Sequence, residues 1–498
     1  MKKFSNRIEN AAKIYFKFTF KIKTMFKSFA FIIAIVALSL AFNLCFTYKT
    51  EVHNSSKKLL KKEPETNYKE FCAGCHGEKM NAFVDRKWKH GSSHEDLFKA
   101  IKTGYADEGM PGFDTAFSDV EMHELADYIL TGIKNVNRYD FTDKLTSNIF
   151  KTESLTIRLD TLVTGLNSPW GMAFLPGGDM LVTDRSGSMY RVKDKVKSIV
   201  EGVPEVVAEG QGGLLDVILH PQFKKNKIIY ISYSLGKKTD KGILATTAIA
   251  KATLNGNKLT GIKNIFIAEP YSRTKHHYGS RMQFGKDGCL YFSVGERGNE
   301  KENPQSLTND LGKIHRIKDD GSIPKDNPFV NTPGAKASIW SYGHRNPQGV
   351  AINSATGVLW ANEHGPRGGD EINIIGKGKN YGWPLVCYGI NYNGVPMSKY
   401  TTMEGIEPPI LYWIPSIAPS GMAFVKGDRY KGWKGNLLVG SLRFKYLNLC
   451  RLKGNKVISE EILFKNIGRV RDVRMAPDGF IYMSVENPGI VYKLVPVK

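Results

Sequence analysis

The sequence predicts an all-β six-bladed β-propeller, preceded by a small all-α domain and by an N-terminal apolar segment that acts as membrane anchor or signal. Three observations predict this. A unit of apolar strand, polar turn and second strand recurs six times in the C-terminal two thirds. A Cys-x-x-Cys-His motif at Cys72–His76 is followed by a Gly/Pro loop and a stretch of helical periodicity. An 18-residue apolar run, Phe29 to Phe46, stands behind a strongly basic leader.

From the N-terminus, residues 1–28 carry eight basic residues (Lys2, Lys3, Arg7, Lys13, Lys17, Lys21, Lys23 and Lys27) against one acid, Glu9. Basic residues stay on the cytoplasmic side of a membrane, so this leader directs the rest of the chain outside. Residues 29–46 are interrupted only by Ser39 and Asn43, a length between a spanning helix and a signal-peptide core. No small-x-small cleavage site comes after them, and Phe42 and Asn43 ahead of Leu44-Cys45 suit no lipoprotein processing, so an uncleaved anchor is expected. The remainder is expected to be periplasmic or otherwise extracytoplasmic. Residues 47–66, polar and lysine-rich, read as a linker.

Residues 67–135 form the expected helical domain. In Phe71-Cys72-Ala73-Gly74-Cys75-His76, the spacing is that of c-type haem attachment. Cys72 and Cys75 would carry the thioether bonds, and His76 would be the proximal iron ligand. A second axial ligand is offered by Met110 in Gly109-Met110-Pro111-Gly112-Phe113, 34 residues after His76. Apolar residues at helical spacing then run from Asp119 to Lys134. This order resembles a small class I cytochrome c. A zinc or redox reading of the motif needs further thiol or imidazole ligands, or a thioredoxin-like setting, and neither occurs.

Residues 136–155 read as a second connector, and residues 156–498 as the propeller. The six copies open at Pro169-Trp170-Gly171-Met172, Leu214-Leu215-Asp216-Val217, Gly279-Ser280-Arg281-Met282, Pro347-Gln348-Gly349-Val350, Pro419-Ser420-Gly421-Met422 and Val470-Arg471-Asp472-Val473. Roughly 57 residues per copy suit a four-stranded blade with its loops. A two-sheet sandwich predicts no such six-fold recurrence. The 49 glycines, 26 phenylalanines and 22 tyrosines agree with turn-rich β-structure.

The net charge of +22 does not indicate nucleic acid: eight bases less one acid put seven of those charges in the leader, and the others are scattered. Attraction to anionic lipid is the better reading. Six cysteines build no disulfide framework. Two belong to the haem motif, Cys45 ends the apolar run, and Cys289, Cys387 and Cys450 lie in apolar runs read as strands.

Polar residues cluster in the loops between copies: Gln211, His276-His277, Glu296, Arg345-Asn346, Gly365-Pro366, Arg443, Arg469 and Arg471. Arginines with Gln and Asn suit a flat polyanion held by bidentate contacts. A histidine with a carboxylate partner makes a general base. These motifs, in this order, resemble the soluble-type quinoprotein sugar dehydrogenases, a family that includes soluble glucose, aldose sugar and sorbosone dehydrogenases. The segments are Gly210-Gln211-Gly212-Gly213, His276-His277-Tyr278-Gly279-Ser280-Arg281, Gly343-His344-Arg345-Asn346-Pro347, Glu363-His364-Gly365-Pro366 and Arg469-Val470-Arg471-Asp472. The resemblance spans roughly residues 158–498.

It implies pyrroloquinoline quinone (PQQ) held by Gln211, His277, Arg345, Asn346, Arg443, Arg469 and Arg471, and a calcium ion (Ca2+) on the Gly365 and Pro366 carbonyls. It implies oxidation of an aldose at C1 to the lactone. His277 would take the proton of the anomeric hydroxyl, Glu296 would orient that histidine, and Arg345 would meet the developing negative charge. Electrons would pass to the haem c and on to a downstream acceptor of the respiratory chain. His276 and His344 would support these groups, and Asp370 and Glu371 would cap the calcium loop or hold a second calcium. Arg443 stands where soluble glucose dehydrogenase has a lysine, and His276 where it has an acid, so the likeness runs closer to the aldose sugar dehydrogenase branch. Two other readings are a propeller that only binds or senses a sugar, and a haem-fused dehydrogenase of non-sugar alcohols. Seven tryptophans without periodic placement disfavour the latter.

One test belongs to the helical domain: Met110→Ala changes the visible spectrum of the haem-loaded protein, and an unchanged spectrum would move the distal ligand elsewhere.

Overall fold

The computed structural model describes residues 63–76, 88, 90–106, 110–134, 147–298, 300–389, 391, 397–413 and 416–497. The basic leader and the expected anchor at 29–46 lie outside them, as do Gly109 and the side chain of Cys75. No helix among the described residues is long and apolar enough to cross a membrane.

The described residues of the N-terminal region are mainly helical. A short helix α1 (Pro64–Asn67) starts on proline, whose fixed φ suits a first helical turn. A π-helical turn Tyr68–Cys72 and a further turn α2 (Ala73–His76) come next in sequence. Helix α3 (His94–Thr103) begins at a capping box, with Ser93 and Asp96 exchanging side-chain and backbone bonds, and ends at Gly104 with φ +65°. Tyr105 and Met110 then pair through both backbone bonds, at 2.7 and 3.1 Å, which pins the methionine loop. Helix α4 (Asp119–Lys134) occupies the stretch read as helical and opens on a second box between Ser118 and Glu121. Leu97, Ile101, Met122, Leu125, Ala126 and Ile129 form the buried seam of the two longer helices.

The rest is a six-bladed propeller, one antiparallel sheet per blade. The innermost strands are Pro169–Phe174, Leu214–Leu219, Met282–Phe284, Pro347–Ile352, Pro419–Phe424 and Val470–Met475, which are the six repeats of the sequence. Blade six is assembled from both ends of the domain: Thr156–Val163 pairs with the last strand, Ile490–Val497. A further strand, Ile149–Lys151, pairs outside it, so part of the segment read as connector belongs to the sheet. Cys450 lies in a strand as expected, but Cys289 sits in the turn just before one and Cys387 in a loop, where burial and the backbone N–H of Gly389 hold its thiol.

Each blade is too thin to bury both faces alone, and six apolar clusters solve this, one at each blade interface. Met172 and Val182 meet Tyr482 and Val491 between blades one and six, Ile218 and Tyr230 meet Leu290 and Phe292 between two and three, and the other interfaces are built alike. Inner strands approach so closely that a Cβ on Gly171 would lie 2.7 Å from the Asp216 carboxylate of the next blade.

Charge fills the centre. The Arg281 guanidinium, 2% exposed, pairs with Asp216 at 3.3 Å and Asp472 at 3.1 Å. It also donates to the Gln348 carbonyl at 3.0 Å and lies over Trp170, 4.1 Å from the ring centre. Arg474 bridges the same two aspartates. Removing one member of a buried charge cluster strands the others without solvent. Arg281→Met therefore lowers unfolding stability by about 3–5 kcal/mol in denaturant titrations, more than an apolar swap of this size costs elsewhere.

Candidate active site

The polar loop residues singled out in the propeller converge on one end of its axis. Their contacts form a closed ring. His277 Nδ1 meets Glu296 Oε2 at 2.6 Å, and the other Glu296 oxygen lies 3.8 Å from Arg345 Nε. Arg345 donates to the carbonyls of His364 and Gly365, at 3.1 and 2.7 Å. Pro366 is next in the chain, and its carbonyl accepts from the Ser416 hydroxyl. The Ser416 carbonyl accepts from Arg443, and the Leu442 carbonyl from Arg469. Arg469 and Arg471 share Glu486, and Arg471 reaches Gln348, which binds Asn346. The Asn346 side chain returns to the Gly279 N–H, two residues from His277. Gln211, on an exposed loop, accepts the backbone N–H of His277 at 2.9 Å.

Blade edges set these positions. The second strand of a blade ends near an acid: Asp184, Glu296, Glu363 and Glu486 in blades one, three, four and six. Glu296 holds His277, Glu363 holds His344 at 2.9 Å and the backbone N–H of Arg345, and Glu486 holds the two arginines of blade six. Gly295 is required here, because a Cβ would overlap the carbonyl oxygen of His277. His277, Ser280, Arg297 and Ala418 all have left-handed backbones, with φ between +52° and +81°. For non-glycine residues each costs about 1–3 kcal/mol and persists only where surroundings impose it.

Burial pushes the His277 imidazole below the usual range; Glu296 opposes this and Arg345 adds to it. His277 is therefore neutral at neutral pH, with Nδ1 committed to Glu296. His364, bonded to the Pro419 carbonyl at 2.8 Å, is held well below its ordinary value by the same burial. Burial would raise the Glu486 carboxyl, but Arg471 and Arg469 hold it down at about 2. Asp370 is satisfied by Gly365 N–H, Ser416 and Ala418 N–H, so it braces the Gly365-Pro366 loop, and burial pushes it up to about 6. Glu371 instead accepts from Asn373, and His276 stands beside His277 with ring centres 6.3 Å apart.

Two buried donors in this ring, Arg345 Nε and Asn346 Nδ2, have no hydrogen-bond partner. Orphaned donors beside several guanidinium groups fit a planar ligand carrying several carboxylates. In the helical region, Cys72 and His76 fall four residues apart on consecutive helical turns, hence on one face. Cys72 is buried, and Phe71 packs edge-on against Phe113 and Phe117, an aromatic setting that fits a porphyrin. Met110 is half-buried in its pinned loop. Sequence reasoning passes over Glu486, Gln348 and Trp170. The acid that recurs at the end of the second strand in four blades is the signal that marks Glu486.

Comparison with known proteins agrees with this geometry. Residues 60–129 match the family of cytochrome c oxidase, cbb3-type, subunit III, and residues 166–493 match the glucose/sorbosone dehydrogenase family. Aldose sugar dehydrogenase YliI of Escherichia coli is 42% identical over 350 residues, 68% of this chain and 93% of that protein. Quinoprotein glucose dehydrogenase B of Acinetobacter calcoaceticus is 31% identical over 450 residues, 73% of this chain and 93% of that one. The PQQ-bound aldose sugar dehydrogenase of Streptomyces coelicolor superposes with a TM-score of 0.57 at 29% identity, covering 68% of this chain and 98% of that structure. By sequence, fold and the assembled ring alike, the chain belongs to the glucose/sorbosone dehydrogenase family, with a cytochrome c domain ahead of its propeller.

Proposed function

We propose that the propeller oxidises an aldose at C1 to its lactone and that the electrons leave through the haem c of the helical domain. The observation that carries this is the buried His277–Glu296 pair, 2.6 Å apart, beside Arg345 and an arginine-rich ring. With Nδ1 committed, Nε2 is the nitrogen left to take the proton of the anomeric hydroxyl. Glu296 keeps the imidazole in that tautomer and balances the charge it gains. Arg345 would meet negative charge as it develops. Arg443, Arg469, Arg471, Gln211 and Asn346 would hold PQQ, which when bound supplies the two-electron acceptor. The Gly365 and Pro366 carbonyls are hard oxygen donors of the kind calcium takes, and a calcium ion there would supply Lewis acidity. Cys72, Cys75, His76 and Met110 would hold the haem, which supplies a one-electron acceptor. The leader and the 29–46 segment would keep the enzyme at the membrane with both domains outside the cytoplasm.

His277→Ala lowers dye-linked aldose oxidation by about a thousandfold or more, while PQQ binding, followed by fluorescence, stays within a few-fold of wild type. Surviving activity would remove His277 as the base. A wild-type chain that neither binds PQQ nor oxidises any aldose would favour the sugar-binding reading.

The pH profile is a second check. His277 must be neutral to act, and its pKa lies below the ordinary imidazole value, so kcat/KM falls only below about pH 6.5. Glu296 favours the protonated ring, so Glu296→Gln moves this acid limb to still lower pH while lowering the rate about a hundredfold. A limb that stays in place would show that another group titrates.

A further inference from the structure

We propose that Arg367 docks the haem-attachment segment onto the cofactor loop of the propeller and so sets the gap that the electrons cross. This rests on the dehydrogenase reading above. Arg367 comes directly after Gly365-Pro366 and near Arg443, and its side chain reaches the haem-attachment segment. Its guanidinium lies over Phe71, 3.5 Å from the ring centre, and Nη2 meets Glu70 Oε2 at 3.4 Å. Only 20% of the Arg367 side chain is exposed. Phe71 precedes Cys72, the first cysteine of the haem motif. The same ring packs on Phe113 and Phe117, with centres 6.1 and 4.7 Å apart, just beyond the Met110 loop.

One side chain therefore joins the loop that carries two of the cofactor-site carbonyls to the segment that carries the haem. A guanidinium suits the place because it stacks on an aromatic face and pairs with a carboxylate at once, which a lysine ammonium does less well. Electron flow across it balances simply. Oxidising the sugar at C1 releases two electrons and two protons. A haem held there would accept one electron at a time, so an external one-electron acceptor would have to reoxidise it between the two. The protons leave to solvent. Arg367 is thus a positioning residue: it touches neither sugar nor reacting atoms.

The test uses the full haem-loaded chain with PQQ and calcium, an aldose, and two readouts: reduction of an artificial dye by the propeller, and reduction of the haem by stopped-flow absorbance. Glu70→Arg sets two cations against each other. It should slow sugar-driven haem reduction about tenfold or more and leave dye reduction unchanged. Combining it with Arg367→Glu restores the opposite pair and should bring haem reduction back to within about threefold. Independently of turnover, Arg367→Lys should cross-link to Glu70 with a zero-length carbodiimide, read as a joined peptide by mass spectrometry. Haem reduction at the wild-type rate in Glu70→Arg, or no cross-link, overturns the docking. If no aldose reduces the dye, the dehydrogenase reading falls instead, and the cross-link still decides the docking.

Discussion

Everything at the propeller's working end depends on one buried cation. Arg281 starts from blade three and touches Trp170 of blade one, Asp216 of blade two, the Gln348 carbonyl of blade four and Asp472 of blade six. A charge so far from water is tolerable only with nearly all its donors used, so the inner strands are held at the spacing that uses them. Gln348 and Arg471, fixed by those contacts, are also members of the ring around His277. The charge cluster at the axis thus holds the backbone carbonyls of two residues whose side chains belong to the ring.

The site spends stability for position. Four non-glycine residues around it, His277 among them, hold left-handed backbones, and two of its buried donors lack partners. Neither feature helps a resting protein, and oxygen acceptors on a bound ligand would satisfy the two orphaned donors. Around these exceptions the conventional devices are in place: carboxylates at the ends of second strands, satisfied loop carbonyls, and the buried imidazoles of His277 and His364, which burial keeps neutral.

How much of this can be read in the chain depends on distance along it. The six inner strands are legible because close packing at the axis demands small residues in a fixed order, as in Pro169-Trp170-Gly171 and Pro419-Ser420-Gly421. Helix α4 is legible because its ends and its buried seam obey local rules. His277 and Glu296 stand 19 residues apart, on the two sides of one β-hairpin, near enough to be paired by inspection. The partners of Arg281 carry no such mark: Asp216 is 65 residues away, and Asp472 lies in another blade. Ile149–Lys151 escapes notice because an outer-edge strand with an exposed, intermediate, exposed pattern has no alternation to read. Cys387 looks like a strand residue because apolar character alone does not separate a strand from a buried loop.

The way blade six is closed bears on how the molecule is made. Thr156–Val163 leaves the ribosome more than three hundred residues before Ile490–Val497, the strand that pairs with it. Until that last segment is synthesised, the early strand has an open edge and the ring cannot shut. The haem motif, by contrast, is complete within the first quarter of the chain. Synthesis therefore orders assembly: the helical domain is available for haem attachment first, and the propeller closes only once Ile490–Val497 has been made. A chain shortened by even one strand at its C-terminus would keep the cytochrome module and lose the ring.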